Sequence, residues 1–223
     1  MTADGAAPDG AATAEHLRRI AVELAAMAQT GTAFAQDHYD TERYARLAEL
    51  SASLLGLLTD VPAAEISSIM SVDGGYATPH VDVRGALFDG DRVLLVREAS
   101  DGRWTLPGGW ADVLDTPTSA VEREFAEEAG LAVRATRVAA VYDGNVSNGH
   151  LGSGPPFHVW KLFFLCERRD DTEPEAGLDG ETTDVGFFAL DELPPLSTRR
   201  VSEAQLARLA ELHRDPALPA EAD

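Results

Sequence analysis

Three glutamates, Glu124, Glu127 and Glu128, stand at positions i, i+3 and i+4. In a helix that spacing stacks all three on one face. Like charges so placed cost an isolated helix roughly 0.2–0.5 kcal/mol per pair, so a cationic partner is expected against that face. Magnesium is the natural one: it takes hard oxygen ligands at about 2.0–2.1 Å and keeps waters and substrate phosphates in its shell. At such a site a divalent ion neutralises phosphoryl oxygens, orients a phosphate bridge and makes water a better nucleophile. Two or three of Glu124, Glu127 and Glu128 would then supply the metal's oxygens and leave positions open for a diphosphate. Arg123 lies four residues before Glu127, so it reads as a brace for the glutamate row rather than a substrate contact.

The elements that must position this row can be read outward from it. A helix is expected over 117–129, with Thr116 as N-cap, Pro117 in the first turn and Gly130 just past the end. Before it, apolar-rich runs at 81–88 and 92–96 flank the turn Asp89-Gly90-Asp91, a hairpin signal. A short strand at 104–106 leads into Pro107-Gly108-Gly109. After the helix, strands are expected at 133–142, 157–166 and 184–188, then a helix at 202–213 carrying Leu206, Leu209 and Leu212. The Gly/Pro-rich loop 145–156 is of the kind that shapes binding sites. This part, residues 81–213, reads as mixed α/β.

The N-terminal part has a different period. Leu17, Ile20, Leu24 and Met27 form a helical stripe over 15–35. A second helix is expected at 41–58, capped by Asp40 or Thr41, and a short third one follows Pro62. Residues 15–72 thus form a helical module of marginal size, expected to pack on the next domain or on a second copy in a homodimer. Residues 73–80 read as a linker, and 1–14 and 214–223 as disordered ends.

Composition narrows the function. The 223 residues carry a net charge of −20, which argues against a nucleic-acid partner needing a Lys/Arg surface. Residues 1–75 hold four basic side chains against eleven acidic ones, so the helical module lacks the basic face of a DNA reader. The lone cysteine, Cys166, excludes an intrachain disulfide and sits in an apolar run as a buried thiol. No apolar stretch is long enough to span a membrane and no signal-peptide pattern opens the chain, so the expected compartment is the cytoplasm.

Residues 109–131 resemble the signature of the Nudix hydrolase superfamily, G-x5-E-x7-R-E-U-x-E-E-x-G-U with U bulky and apolar. Gly109, Arg123, Glu124, Phe125, Glu127, Glu128, Gly130 and Leu131 fall on its positions; Asp115 stands where the pattern has Glu. The resemblance implies an α/β (α+β) fold, a mixed β-sheet sandwiched between helices, here preceded by a small all-helical module. It implies metal binding by Glu124 and Glu128, helped by Glu127 and the backbone carbonyl near Gly109, with Mg2+ as the ion and Mn2+ as its substitute. The implied reaction is hydrolysis of the diphosphate bridge in a nucleoside diphosphate linked to another group. The wider pattern, including LLVRE and GRWTLPGGWADV, is similar to a bacterial subgroup with an N-terminal helical domain, of the CDP-choline or ADP-ribose pyrophosphatase type.

For the remaining roles, Glu181 is the candidate base or extra ligand from outside the box. Arg97, Arg103 and Lys161 are candidate phosphate partners in an acidic chain. Trp104, Trp110, Tyr142, Phe157 and Trp160 are candidate base platforms, and His150 and His158 flank the long loop. Two other readings are a ligand-sensing protein that binds without turnover and a hydrolase of RNA ends. The intact carboxylates disfavour the first and the acidic balance the second.

Overall fold

The computed structural model describes residues 10–71, 73–144, 157–177 and 180–223. They form two compact units, the first running to Pro79 and including residues 157–158, the second comprising the rest from His80 onward.

The first unit contains three helices, α1 (Gly10–Phe34), α2 (His38–Leu58) and α3 (Ala63–Met70). The helical stripe begins earlier than expected: residues 10–14, read as part of a disordered start, are the first turn of α1. Asp37, not Asp40 or Thr41, caps α2, its Oδ1 accepting from the Asp40 N–H at 2.8 Å. Ala21 on α1 and Ala52 on α2 are small, which lets these two helices approach closely. Ala21, Ala52, Leu55 and Ile66 form the core, and Ser51 donates to the Ala21 carbonyl at 2.7 Å. Gly31 lies against the Tyr44 ring, where a Cβ would sit 2.2 Å from a ring carbon. The expected linker is tied back within this unit, since the Ala77 N–H donates to Thr30 Oγ1 at 3.0 Å. Met27, Phe34, Leu50, Leu57 and Ile69 remain exposed.

The second unit alternates strands and helices: β1 (His80–Asp89), β2 (Arg92–Glu98), β3 (Trp104–Thr105), α4 (Pro117–Ala129), β4 (Val133–Asp143), β5 (Val159–Arg168), β6 (Thr182–Ala189), α5 (Glu203–Arg214) and β7 (Glu221–Ala222). One side of the sheet is β1 parallel to β5, with β4 antiparallel to β5 and β7 parallel to β4. The other is β2, antiparallel to both β3 and β6. The two halves join at the β1–β2 hairpin, paired at Phe88–Val93 and Asp89–Arg92. Alternation along the strands sends Val83, Leu94, Val96 and Phe164 to α4, and Leu95, Phe163 and Leu165 to α5. The sheet is therefore covered by a helix on each face.

The end of the chain corrects an expectation. Residues 214–223, read as a disordered tail, dock on the β4 edge. Arg137 donates to the carbonyls of Pro216 and Leu218 at 3.0 and 3.1 Å, and Tyr142 donates to Glu221 at 2.8 Å. The reason lies in the partner: an open sheet edge presents unpaired backbone groups, and β7 satisfies them.

Candidate active site

The glutamate row is held by a helix whose ends are both fixed. Thr116 and Ser119 form a reciprocal capping box at the start of α4, and Gly130 closes it in the left-handed region at φ 65°. Val121 and Phe125 pin it down; a Cβ on Gly85 of β1 would come within 2.2 Å of the Phe125 ring, so the ring rests on bare strand backbone. With that face down, Glu124 and Glu128 are drawn toward the sheet and are only 8% and 3% exposed, whereas Glu127 points outward.

Pro107–Ala111 runs beside β1 as a further ladder. Gly85 N–H donates to Pro107, Val83 N–H to Gly109, and Ala111 N–H to Val81, at 2.8–3.0 Å. Gly108 has φ 146°, and a Cβ there would stand 2.0 Å from the Val83 carbonyl oxygen. Its N–H donates to Glu128 Oε2 at 2.9 Å. At Gly109 a Cβ would lie 3.0 Å from both oxygens of Glu124, so this carboxylate rests along backbone that only a glycine leaves open.

Arg123 braces the row. Its Nη1 donates to Glu124 Oε1 at 3.0 Å and Glu127 Oε2 at 2.9 Å, and its Nη2 to the Trp110 carbonyl and Asp115 Oδ2, both at 3.3 Å. Asp115, the departure from the family pattern, thus still reaches the arginine; its Oδ2 also accepts from the Asp112 N–H at 3.2 Å.

Beneath the turn lies a buried ionic layer that sequence reading missed. Arg84 pairs with Asp82 through two bonds, at 2.9 and 2.8 Å, and donates to the Leu106 carbonyl at 3.2 Å. Glu98 is buried at the end of β2 and pairs with Arg200 at 3.0 Å. The signal was present: Asp82 and Arg84 stand two apart in an otherwise apolar strand, hence on one face, where charges persist only if paired.

These surroundings set the charge state. Burial pushes Glu128 up to about 8, with Arg84 and the Gly108 N–H pulling the other way. Burial also raises Glu124 and Glu98 above the usual carboxylate range, against the pull of Arg123 and Arg200 respectively. A carboxylate so buried, with one backbone N–H as its only hydrogen bond among the described residues, favours a cation beside it. Among the described residues no three His, Cys, Asp or Glu side chains converge as a ready-made metal cage. Magnesium does not need one, because it is commonly held by one or two carboxylates plus water and substrate phosphate. Glu124 and Glu128 fit that donor set.

The other predicted site residues are distributed as follows. Lys161 is a correction: its ammonium is buried and spent on the carbonyls of Arg199 and Arg200, at 2.9 and 2.7 Å, which removes it from phosphate binding. Arg97 donates to the Gly102 carbonyl at 2.9 Å and follows Val93 and Leu95 on the α5 face of β2, away from α4. Arg103 is exposed in the loop before β3. Trp110 is 48% exposed, with its ring edge-on to His80 at 5.9 Å, beside Gly109. Glu181 is exposed, its carbonyl accepts from the Ala99 N–H at 2.8 Å, and its charge presses on Glu98. His158 falls in the first unit, and His150 lies outside the described residues. Trp104 and Tyr142 are packed in the α5 core, and Cys166 is a buried thiol, as expected. No helix among the described residues is long and apolar enough to cross a membrane.

Comparison with known proteins bears on both units. Residues 78–209 match the family described as NUDIX domain, and residues 15–70 match the one described as UDP-X-like, N-terminal oligomerisation domain. YjhB of Bacillus subtilis (strain 168), provisionally named an ADP-ribose pyrophosphatase, is 38% identical over 196 residues, which is 88% of this chain and 91% of that protein. The crystal structure of an ADP-ribose pyrophosphatase from Streptococcus suis 89-1591 is 39% identical, with a TM-score of 0.56, covering 66% of this chain and all of that one. A crystal structure of UDP-X diphosphatase is 29% identical with a TM-score of 0.59 and covers 94% of this chain and 99% of that one.

Proposed function

The chain belongs to the Nudix family and is a pyrophosphohydrolase of it, and on that premise we propose that it cleaves the diphosphate bridge of a nucleoside diphosphate linked to another group, releasing a nucleoside monophosphate. ADP-ribose heads the substrate list because the relatives sharing 38% and 39% identity are named for it. UDP-linked compounds come second, from the diphosphatase that aligns over both units, and CDP-choline third, from the sequence resemblance.

The observation that carries this reading is the pair Glu124 and Glu128, one helical turn apart, buried, and resting against the open backbone of Gly108 and Gly109. When bound there, Mg2+ or Mn2+ supplies Lewis acidity toward the phosphoryl oxygens and a more acidic water. The chain's own part is to hold Glu124 and Glu128 as oxygen donors, to keep Glu127 and Glu124 in place through Arg123, and to offer the half-exposed Trp110 ring as a platform for the base. Glu181 is the proposed proton acceptor from the attacking water, on the loop before β6. The first unit is proposed to pair two copies through its exposed apolar side chains.

The deciding experiment is a panel of ADP-ribose, UDP-linked and CDP-linked substrates with Mg2+ or Mn2+, read by identified phosphate products. Release of a nucleoside monophosphate that depends on metal and vanishes in Glu124→Gln and Glu128→Gln is the expected result. Undiminished turnover in those variants would overturn the site.

A further inference from the structure

The Asp82–Arg84 pair belongs to no signature position, and both side chains are buried. Its geometry nonetheless leads to the site. Arg84 donates to the carbonyl of Leu106, two residues before Gly108. The same side chain lies under the turn: a Cβ on Gly108 would be 2.8 Å from Arg84 Cα and 3.0 Å from its Cδ. Gly108 in turn gives Glu128 the N–H that orients it, at 2.9 Å. One chain of contacts thus runs from Asp82 through Arg84 and the Leu106–Gly108 turn to a carboxylate that we read as a metal ligand.

We propose that Arg84, locked by Asp82, is a positioning residue for the metal carboxylate Glu128, acting through the Gly108 N–H. The proposal rests on the reading of Glu128 as a metal ligand. The physical case is that a buried guanidinium must satisfy its donors in fixed directions. Two go to Asp82 and one to Leu106, so the arginine fixes the height of the turn over β1 as well as its own place. Partners one shell behind a metal ligand typically change metal affinity by about 10–100-fold when removed.

The test is Mn2+ affinity measured by electron paramagnetic resonance on the full chain, together with hydrogen exchange at the Gly108 amide. The variant is the double replacement Asp82→Asn with Arg84→Met. It removes one charge of each sign, so the distant field is little changed, and neutral replacement of a buried pair is often tolerated. Mn2+ binding is expected to weaken about tenfold or more, with faster Gly108 exchange. Leu212→Ala, which cuts a cavity into the α5 core where the neighbouring His213 stacks on Phe88 at the hairpin end of β1, is expected to leave both readouts at the parent's level. That separates positioning from general destabilisation. If the double variant does not fold, Arg84→Lys carries the same test, since a lysine lacks the second donor arm; parent-like Mn2+ binding and Gly108 protection in it overturn the proposal. The same result in a folded double variant does so too. Glu128→Gln distinguishes the failures. Parent-like Mn2+ binding in that variant sinks the metal reading, whereas loss there without loss in the Arg84 variants sinks only the positioning role.

Discussion

Arg123 Nη2 stands 3.3 Å from Asp115 Oδ2, so the shorter acid at the one unmatched signature position still closes the brace. The bond is long for a charge-assisted one, which prefers about 2.7–2.9 Å. Asp115 Oδ2 also accepts from the Asp112 N–H at 3.2 Å, which ties the carboxylate to its own turn. Restoring the longer acid with Asp115→Glu is therefore expected to raise activity or leave it unchanged. Asp115→Ala should lower kcat/KM by about tenfold, as loss of an outer support does. Steady-state kinetics on the two variants checks this; an alanine variant as active as the parent would show that Glu124, Glu127, Asp112 and the Trp110 carbonyl suffice to hold Arg123.

Gly108 gives a sharper test, because two requirements meet there. Its φ of 146° disfavours any side chain, and a Cβ would stand 2.0 Å from the Val83 carbonyl oxygen. Gly108→Ala must push the turn off β1, breaking the flanking ladder and the bond to Glu128. A loss of stability of about 3 kcal/mol or more is expected in urea unfolding, with activity lost even where the protein remains folded. Gly90→Ala, at a solvent-facing turn with open space around it, is the mild comparison, with only its positive φ to disturb.

The parts that could be read from sequence were those with a short-range code. The capped helix 117–129 was legible to the residue because Thr116, Pro117 and Gly130 mark its ends locally. The carboxylate row was legible because helical spacing alone brings Glu124 and Glu128 onto one face. What was hidden depends on contacts far apart in the chain. Lys161 reads as a phosphate partner because the carbonyls that consume it belong to Arg199 and Arg200, nearly forty residues away. The final residues read as disordered because their Pro/Ala composition has no periodicity, whereas their order comes from the β4 edge. Arg84 is half legible: its pairing with Asp82 follows from their two-residue spacing, but the turn it supports lies more than twenty residues downstream.

Lys161 also predicts a pH dependence. Burial lowers its pKa from 10.5 to about 8. Below pH 8 the lysine is charged in both states and the cost of burying the charge is fully present. Between about 8 and 10.5 the unfolded chain holds more protons, so this group makes the protein more stable as pH rises. Above 10.5 it is neutral in both states and the effect levels off. Other groups titrate in the same range, so the quantity to measure is the unfolding free energy of the parent minus that of Lys161→Met. That difference is expected to climb by about 1–3 kcal/mol from pH 8 to 10.5. A flat difference would mean the ammonium is better solvated than its burial implies.

The docked C-terminus makes the last prediction. Glu221 accepts from Tyr142 at 2.8 Å and pairs with Arg208, Asp223 accepts from the Asp143 N–H at 3.0 Å, and Leu218 packs against the α5 core. Removing residues 216–223 opens the β4 edge, strips Arg137 of two carbonyl partners and uncovers apolar surface at α5. A loss of about 2–3 kcal/mol is expected in urea unfolding. Faster hydrogen exchange should appear at Asp143 and its neighbours on β4, along with a tendency to associate edge to edge that light scattering would register. Glu221→Gln keeps the strand pairing and loses only partly exposed ionic contacts, so its cost should stay at about 1 kcal/mol or less. Unchanged exchange at Asp143 in the shortened protein would mean that the segment does not hold the β4 edge in solution.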